Sequence, residues 1–345
     1  MLKDKVQAEF SFSWIYPAVF AFLLFAIAYF WMKPNVEPQF HGILFSRLSE
    51  NPFDFKQSNP VQFRILSPLI AYLIGLRGTL FYLFPWGMMI LFMFALQRVH
   101  QFGSLAFYTA FIKAMLLSFS FPLFLNLAGP GYVDSMSWLL ILICLIPGLN
   151  RYLFSFLLLL SLLNQESSVF AFPGILYWRH RNDVGSKGII KALKEFLPSL
   201  LVYSIFRMYL SYQAPIKYDW DYYLNANNIS GNIHSNFPNL LKGTFFAFRL
   251  AWIIPVWALI QSAIRKQYKI TIALVLMLLV PFFQLFIAYD ISRLLCLCFP
   301  SVLVGFDYLF KEKPRQTVIV CIIIILVNLI LPVCIVGKDG LMRIV

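Results

Sequence analysis

The 345 residues are 60% hydrophobic and only 12% charged, whereas soluble domains carry about 25% charge. That balance excludes a water-soluble globular protein, and the formal charge of +13 sits in short Lys/Arg clusters between apolar runs, a pattern that orients membrane helices and argues against nucleic-acid binding. A crossing needs about twenty apolar residues, so the expected fold is all-α: one polytopic membrane domain over 1–345 with about 11 transmembrane helices.

Lys3 and Lys5 precede the first apolar run, Trp14 to Met32, and Lys33-Pro34 follows it where a signal peptide would carry a small-residue cleavage site. This reads as an uncleaved first helix with a cytoplasmic N-terminus. A polar loop, 33–63, comes next with Glu37, His41, Arg47, Glu50, Asp54 and Lys56, and is expected outside. Helix 2 (62–76) returns to an inside turn at Gly75 to Gly78. Helices 3 (79–97), 4 (104–125), 5 (133–149) and 6 (152–178) follow.

Two polar interruptions stand out. Gly129-Pro-Gly131, followed by Tyr132, Val133 and Asp134, breaks the chain between helices 4 and 5, on the inner side in this count; a re-entrant helix 4 places it outside. Asn164 to Ser168 interrupts helix 6 and puts Glu166 near mid-depth, where carboxylates usually face the bundle interior or water. Helix 7 (196–212) leads to a second external loop, 213–242, and helices 8 (243–264), 9 (270–289), 10 (294–310) and 11 (317–336) complete the chain. The clusters Arg179-His180-Arg181 with Lys187, Lys191 and Lys194, Arg265-Lys266 with Lys269, and Lys311, Lys313 and Arg315 all fall inside. The five cysteines lie within apolar runs and match no zinc motif, so they read as small core residues.

Candidate chemistry concentrates outside. A carboxylate can take the proton of an acceptor hydroxyl, and Arg suits a departing phosphate because its fork matches phosphate oxygens. Glu37, Glu50 and Asp54 are the first-loop acids; Arg64, Arg293, Arg249 and Arg207 lie at similar depth near the outer face. The plainer alternative is that these arginines reach for lipid headgroups or pair with acids such as Asp290. Asp219-Trp220-Asp221 has the form of a metal-holding pair in nucleotide-sugar enzymes, although a solvated loop explains it as well. His41 and His234 fit surface histidines. No residue set reads as a resident metal site.

The aromatic-Arg-x-Leu-x-Pro lead-in to helix 2 (Phe63, Arg64, Leu66, Pro68), the Gly131 to Asp134 break, the Asn164 to Ser167 interruption and the segment Tyr289 to Arg293 before Phe299-Pro300 together resemble the bacterial multi-pass GT-C glycosyltransferases. The resemblance spans roughly 10–310 as scattered short motifs. It implies an inner-membrane protein with an extracytoplasmic site between the two long loops. Its donor would be a sugar on a polyprenyl phosphate, its acceptor an envelope glycan or lipid, with membrane lipids around it and no nucleic acid. A divalent metal stays open.

On that resemblance Glu37 is the base, with Asp54 and Glu50 behind it. Arg64, Arg293 and Arg249 hold the phosphate, while His41, Asp134, Glu166 and Asp290 support them. Asp219, Trp220, Asp221 and His234 belong to the substrate loop. Relatives often carry an Asp where this chain has Glu37-Pro38. A transporter or lipid flippase, and a non-catalytic subunit of an envelope assembly, are the alternatives.

Overall fold

The computed structural model describes residues 14–34, 37, 38, 41–55, 60–99, 107–146, 148–183, 186–214, 225–288, 290–337 and 340–343. The protein is mostly helical. Among the described residues, five helical stretches are long and apolar enough to cross a membrane: Ile15–Met32, Gly78–Gln97, Ala226–Ile264, Tyr268–Phe286 and Ile291–Glu312. A pair bent by 47°, Tyr108–Ser118 and Pro122–Ala128, makes a sixth if counted as one span.

Helix α1 (Ile15–Met32) is apolar on every side. Ala21, Leu24, Phe25 and Ala28 recur at helical spacing and are buried, while Val19, Phe22 and Phe30 face outward. It stops at Lys33, whose left-handed backbone lets its N–H reach Tyr29 O. The chain then stays at one end of the bundle, here the loop end, through α2 (His41–Glu50), a tight turn at Pro60–Phe63 and α3 (Leu66–Leu73).

The expected crossing at 62–76 does not form. Helix α3 has eight residues and rises about 12 Å, against a hydrocarbon core of about 30 Å. The chain after it is pinned back onto α2: Ser46 Oγ donates to Gly78 O at 2.5 Å, and Gly78 N–H donates to Ser49 Oγ at 2.9 Å. The Gly75 to Gly78 turn therefore lies at the loop end and not on the far side. From there the chain runs to the far end through the turn Gly78–Tyr82 and α4 (Leu83–Val99).

The bent pair α5 (Phe107–Ser118) and α6 (Phe121–Ala128) brings the chain back. The Gly129 to Val133 connection consequently sits beside the first loop, at the same end of the bundle, as the re-entrant alternative has it. Gly131 has φ +94°, and a Cβ there would fall 2.8 Å from Gly42 Cα; a Cβ on Gly42 would overlap Pro130 O. Two glycines are required for this backbone-to-backbone contact.

Helix α7 (Asp134–Cys144) leaves the loop end and α8 (Arg151–Asn164) returns to it. Extended Gln165 (φ −159°, ψ 114°) then turns the chain through Glu166–Ala171 into α9 (Phe172–His180). Arg179, at the end of α9, donates to Leu149 O, just before α8 begins. The 152–178 run is thus a hairpin and not one long helix, and Glu166 sits at its tip, at the loop end.

Helix α10 (Ser186–Gln213) rises from the far end, tied to α8 by Ser155 Oγ donating to Glu195 O and Ser199 Oγ donating to Ser155 O. The second half adds α11 (Ala226–Asn236), α12 (Leu240–Phe248), α13 (Ile253–Ile264), α14 (Tyr268–Leu279), α15 (Ile291–Leu295), α16 (Phe299–Glu312) and α17 (Pro314–Ile330). An antiparallel hairpin, β1 (Cys334–Gly337) with β2 (Gly340–Arg343), departs from the all-helical expectation. Val336 N–H donates to Ser292 Oγ, which docks this hairpin at the loop end. At the far end Arg179 pairs with Glu195 at 2.8 Å, Lys191 with Asp183 at 2.5 Å, and Arg265 with Glu312. The basic residues of these clusters share that end.

Candidate functional site

Four connections meet at the loop end, and each contributes charge. Arg64, between the Pro60–Phe63 turn and α3, lies flat against Glu166: Nε to Oε2 and Nη2 to Oε1 are both 2.9 Å. The tip that holds Glu166 is fixed by Asn164, which accepts from Ser67 Oγ and donates to Val133 O (2.9 Å) and Ser137 Oγ (2.8 Å). Arg207 of α10 acts on the same carboxylate, with its guanidinium 3.6 Å from the Phe63 ring centroid.

Arg293 of α15 forms the second centre. It is 8% exposed, with Nη2 3.1 Å from Asp290 Oδ2 and Nη1 3.8 Å from Asp134 Oδ2. Its guanidinium lies 5.1 Å from the Tyr132 ring centroid. Its Nε is buried with no hydrogen-bond partner. Arg64 is matched at both ends of its fork by one carboxylate, whereas Arg293 keeps a donor in reserve. Close packing seats α15, since Gly243 of α12 leaves no room for a Cβ against Ile291.

Between these centres and solvent stands His41, the first residue of α2, exposed at its outer edge. Its ring meets Tyr132 edge-on at 5.9 Å, and the Tyr132 hydroxyl meets the His41 backbone. Desolvation, then the charges of Arg293 and Arg64, push the imidazole below its usual 6.5, with Asp290 and Asp134 opposing. Burial raises the Tyr132 phenol to about 12, so it stays neutral.

The structure sorts the expected site residues. Arg64, Glu166, Arg293, Asp290, Asp134 and His41 come together. Glu37 is exposed at the bend after α1. Glu50 ends α2 with its carboxylate over Gly78, and half-buried Asp54 caps a turn through its N–H to Asn51 O. The carboxylates acting most strongly on Arg293 and His41 are Asp134 and Asp290, not those of the first loop.

Arg249, expected among the phosphate ligands, is committed elsewhere. Buried at positive φ (49°), it donates to Asn328 O, Leu331 O (3.0 Å) and Phe119 O. It thereby satisfies carbonyls at the ends of α17 and α5 that helix geometry leaves open. His234 is exposed on α11. Asp219, Trp220 and Asp221 lie outside the described residues.

Sequence reasoning passed over Tyr132 as a site member and carried Arg207 only as one of the arginines near the outer face. Tyr132 was visible within the Gly131 to Asp134 break, but its place against Arg293 and His41 depends on packing between distant segments. Near the two arginines, Gln62 (both amide atoms), Gln165 Oε1, Ser167 Oγ and Ser168 Oγ are also buried without hydrogen-bond partners. Among the described residues no group of three or more His, Cys, Asp or Glu is arranged to hold a metal ion.

Fold and site together define a polytopic helical membrane protein with a buried arginine–carboxylate cluster at one end of its bundle. No family model matches the chain, and no curated protein or solved structure matches it either.

Proposed function

We propose that the protein is a GT-C-like glycosyltransferase of the bacterial inner membrane, which transfers a sugar from a polyprenyl-phosphate donor to an envelope glycan or lipid. The observation that carries this reading is Arg293: a buried guanidinium with a free Nε, flanked by Asp290, Asp134 and His41 at the loop end. A buried cation with an unused donor suits a phosphate oxygen, and fixed positive charge stabilises a phosphate as it departs.

We read the chain's reversals as eleven passes between the two ends of the bundle, α1, α4, α5 with α6, α7, α8, α9, α10, α12 with α13, α14, α15 with α16, and α17, of which five, or six with the bent pair, are long and apolar enough among the described residues to span a membrane by themselves. With the basic clusters on the cytoplasmic side, the N-terminus is cytoplasmic and the loop end faces outward, away from soluble nucleotide sugars. A lipid-linked donor follows from that placement.

In this scheme Arg293 holds the leaving phosphate, Asp290 and Asp134 orient its fork, and the Arg64–Glu166 pair fixes the frame. The test is release of polyprenyl phosphate from polyprenyl-phosphate-linked hexoses by purified protein in lipid nanodiscs. Arg293→Gln is expected to abolish release, and full activity in that variant would defeat the proposal.

One observation favours transport instead. Lys113, fully buried on α5 beside the bend, donates to Asp307 of α16 at 2.6 Å, and paired charges within a bundle often mark ion pathways. Conformational coupling to an ion gradient, with no phosphate release, would support that reading.

A further inference from the structure

The loop end contains an acceptor for a proton that the sequence did not single out for the task. We infer that His41 takes the proton of the attacking hydroxyl in the proposed transfer. This inference rests on the lipid-phosphate reading above and assigns it a base.

The carboxylates at the site are poorly placed for that role. Asp134 and Asp290 are turned toward Arg293, where they orient the guanidinium and do not face an incoming hydroxyl. Glu166 is bound at both oxygens by Arg64. Of the first-loop acids, Glu50 lies over Gly78 and neither Glu37 nor Asp54 ranks among the strongest charges acting on Arg293.

His41 has the opposite properties. Its ring meets Tyr132 edge-on, and the residue as a whole is exposed. Tyr132 contacts both it and Arg293, so the proton acceptor and the phosphate holder share one aromatic neighbour. The Gly42–Gly131 backbone contact fixes the first turn of α2 against that neighbour. The groups facing the ring from the packed elements are Arg293, Asp290, Arg64, Asp134 and Tyr132. Their net effect with desolvation favours the neutral ring, as does its place at a helix N-terminus. A neutral imidazole near neutral pH has a lone pair ready for a proton.

The step balances as a displacement. The acceptor oxygen attacks the anomeric carbon while its O–H proton passes to the free imidazole nitrogen. The carbon–oxygen bond to phosphate breaks, and its electron pair leaves with the polyprenyl phosphate beside Arg293. The imidazolium then returns the proton to solvent.

The experiment measures phosphate release from polyprenyl-phosphate-linked hexoses with water as acceptor, for wild type, His41→Gln and His41→Gly, with farnesyl phosphate binding measured in parallel. Loss of a general base costs about 10²–10⁴-fold in rate. His41→Gln is expected to lower kcat by at least that lower bound with KM for the donor nearly unchanged. Added imidazole should restore part of the rate in His41→Gly. The acidic limb of the wild-type kcat profile should lie below pH 6.5 and vanish in His41→Gln. Full kcat in His41→Gln, with farnesyl phosphate still bound, would overturn the assignment of the base alone. Absence of both release and farnesyl phosphate binding in wild type would overturn the lipid-phosphate reading and this inference with it.

Discussion

Arg64 and Glu166, 102 positions apart in the chain, meet through two parallel hydrogen bonds of 2.9 Å. The pair joins the lead-in to α3 with the tip of the α8–α9 hairpin, so it is a weld between two connections as much as a feature of the site. Removing one partner strands the other in a largely buried position, and a lost charge-assisted bond costs about 1.5–3 kcal/mol. Arg64→Ala and Glu166→Gln should each lower the thermal midpoint in detergent. The exchange Arg64→Glu with Glu166→Arg should recover part of the loss. Additive destabilisation in the double exchange would show that the pair is not coupled.

The Gly42–Gly131 contact makes a separate claim about how α2 docks. Gly131→Ala adds a Cβ 2.8 Å from Gly42 Cα at φ +94°, combining backbone strain with overpacking of about 1–3 kcal/mol each. Limited proteolysis should then cut the 41–55 segment faster, while the far-end turn at 148–150 keeps its wild-type rate. Unchanged cleavage would mean that α2 does not depend on this contact.

Arg249 joins three carbonyls with one guanidinium, a geometry that a lysine ammonium cannot reproduce. Arg249→Lys should therefore destabilise by about 2 kcal/mol or more, read as a lower unfolding midpoint. It should leave farnesyl phosphate affinity unchanged in the protein that remains folded. A selective loss of affinity with normal stability would restore Arg249 to the phosphate ligands.

Placement of the turns can be read by labelling. The five native cysteines are buried, so background reaction with a membrane-impermeant maleimide should be low. Glu50→Cys and Ile74→Cys, both at exposed positions, should react from the same side of sealed vesicles, and Tyr152→Cys from the other. Labelling of Ile74→Cys from the side of Tyr152→Cys would reinstate a crossing at 62–76.

Much of this arrangement was legible in the sequence. Apolar length identified the runs that became α1, α14 and α15 with α16, and the short polar motifs carried Arg64, Asp134, Glu166, Asp290 and Arg293. Direction was harder to read. The run at 62–76 is apolar enough to cross, and only Ser46, Ser49 and Gly78 reveal that it turns back. The run at 152–178 is long enough for one helix, and only the extended Gln165 and the Arg179–Leu149 bond reveal a hairpin. Where a run turns back decides which end of the bundle each later connection reaches, and that is set by contacts between distant segments. The roles of the acids were hidden for a similar reason, because proximity to Arg293 is set by which connections share an end.

Binding of farnesyl phosphate to the full-length protein in nanodiscs tests the central claim most directly. Wild type should bind saturably, Arg293→Gln should lose at least tenfold in affinity, and Arg265→Gln at the far end should bind as wild type does. Equal affinity in wild type and Arg293→Gln would contradict a phosphate site at Arg293.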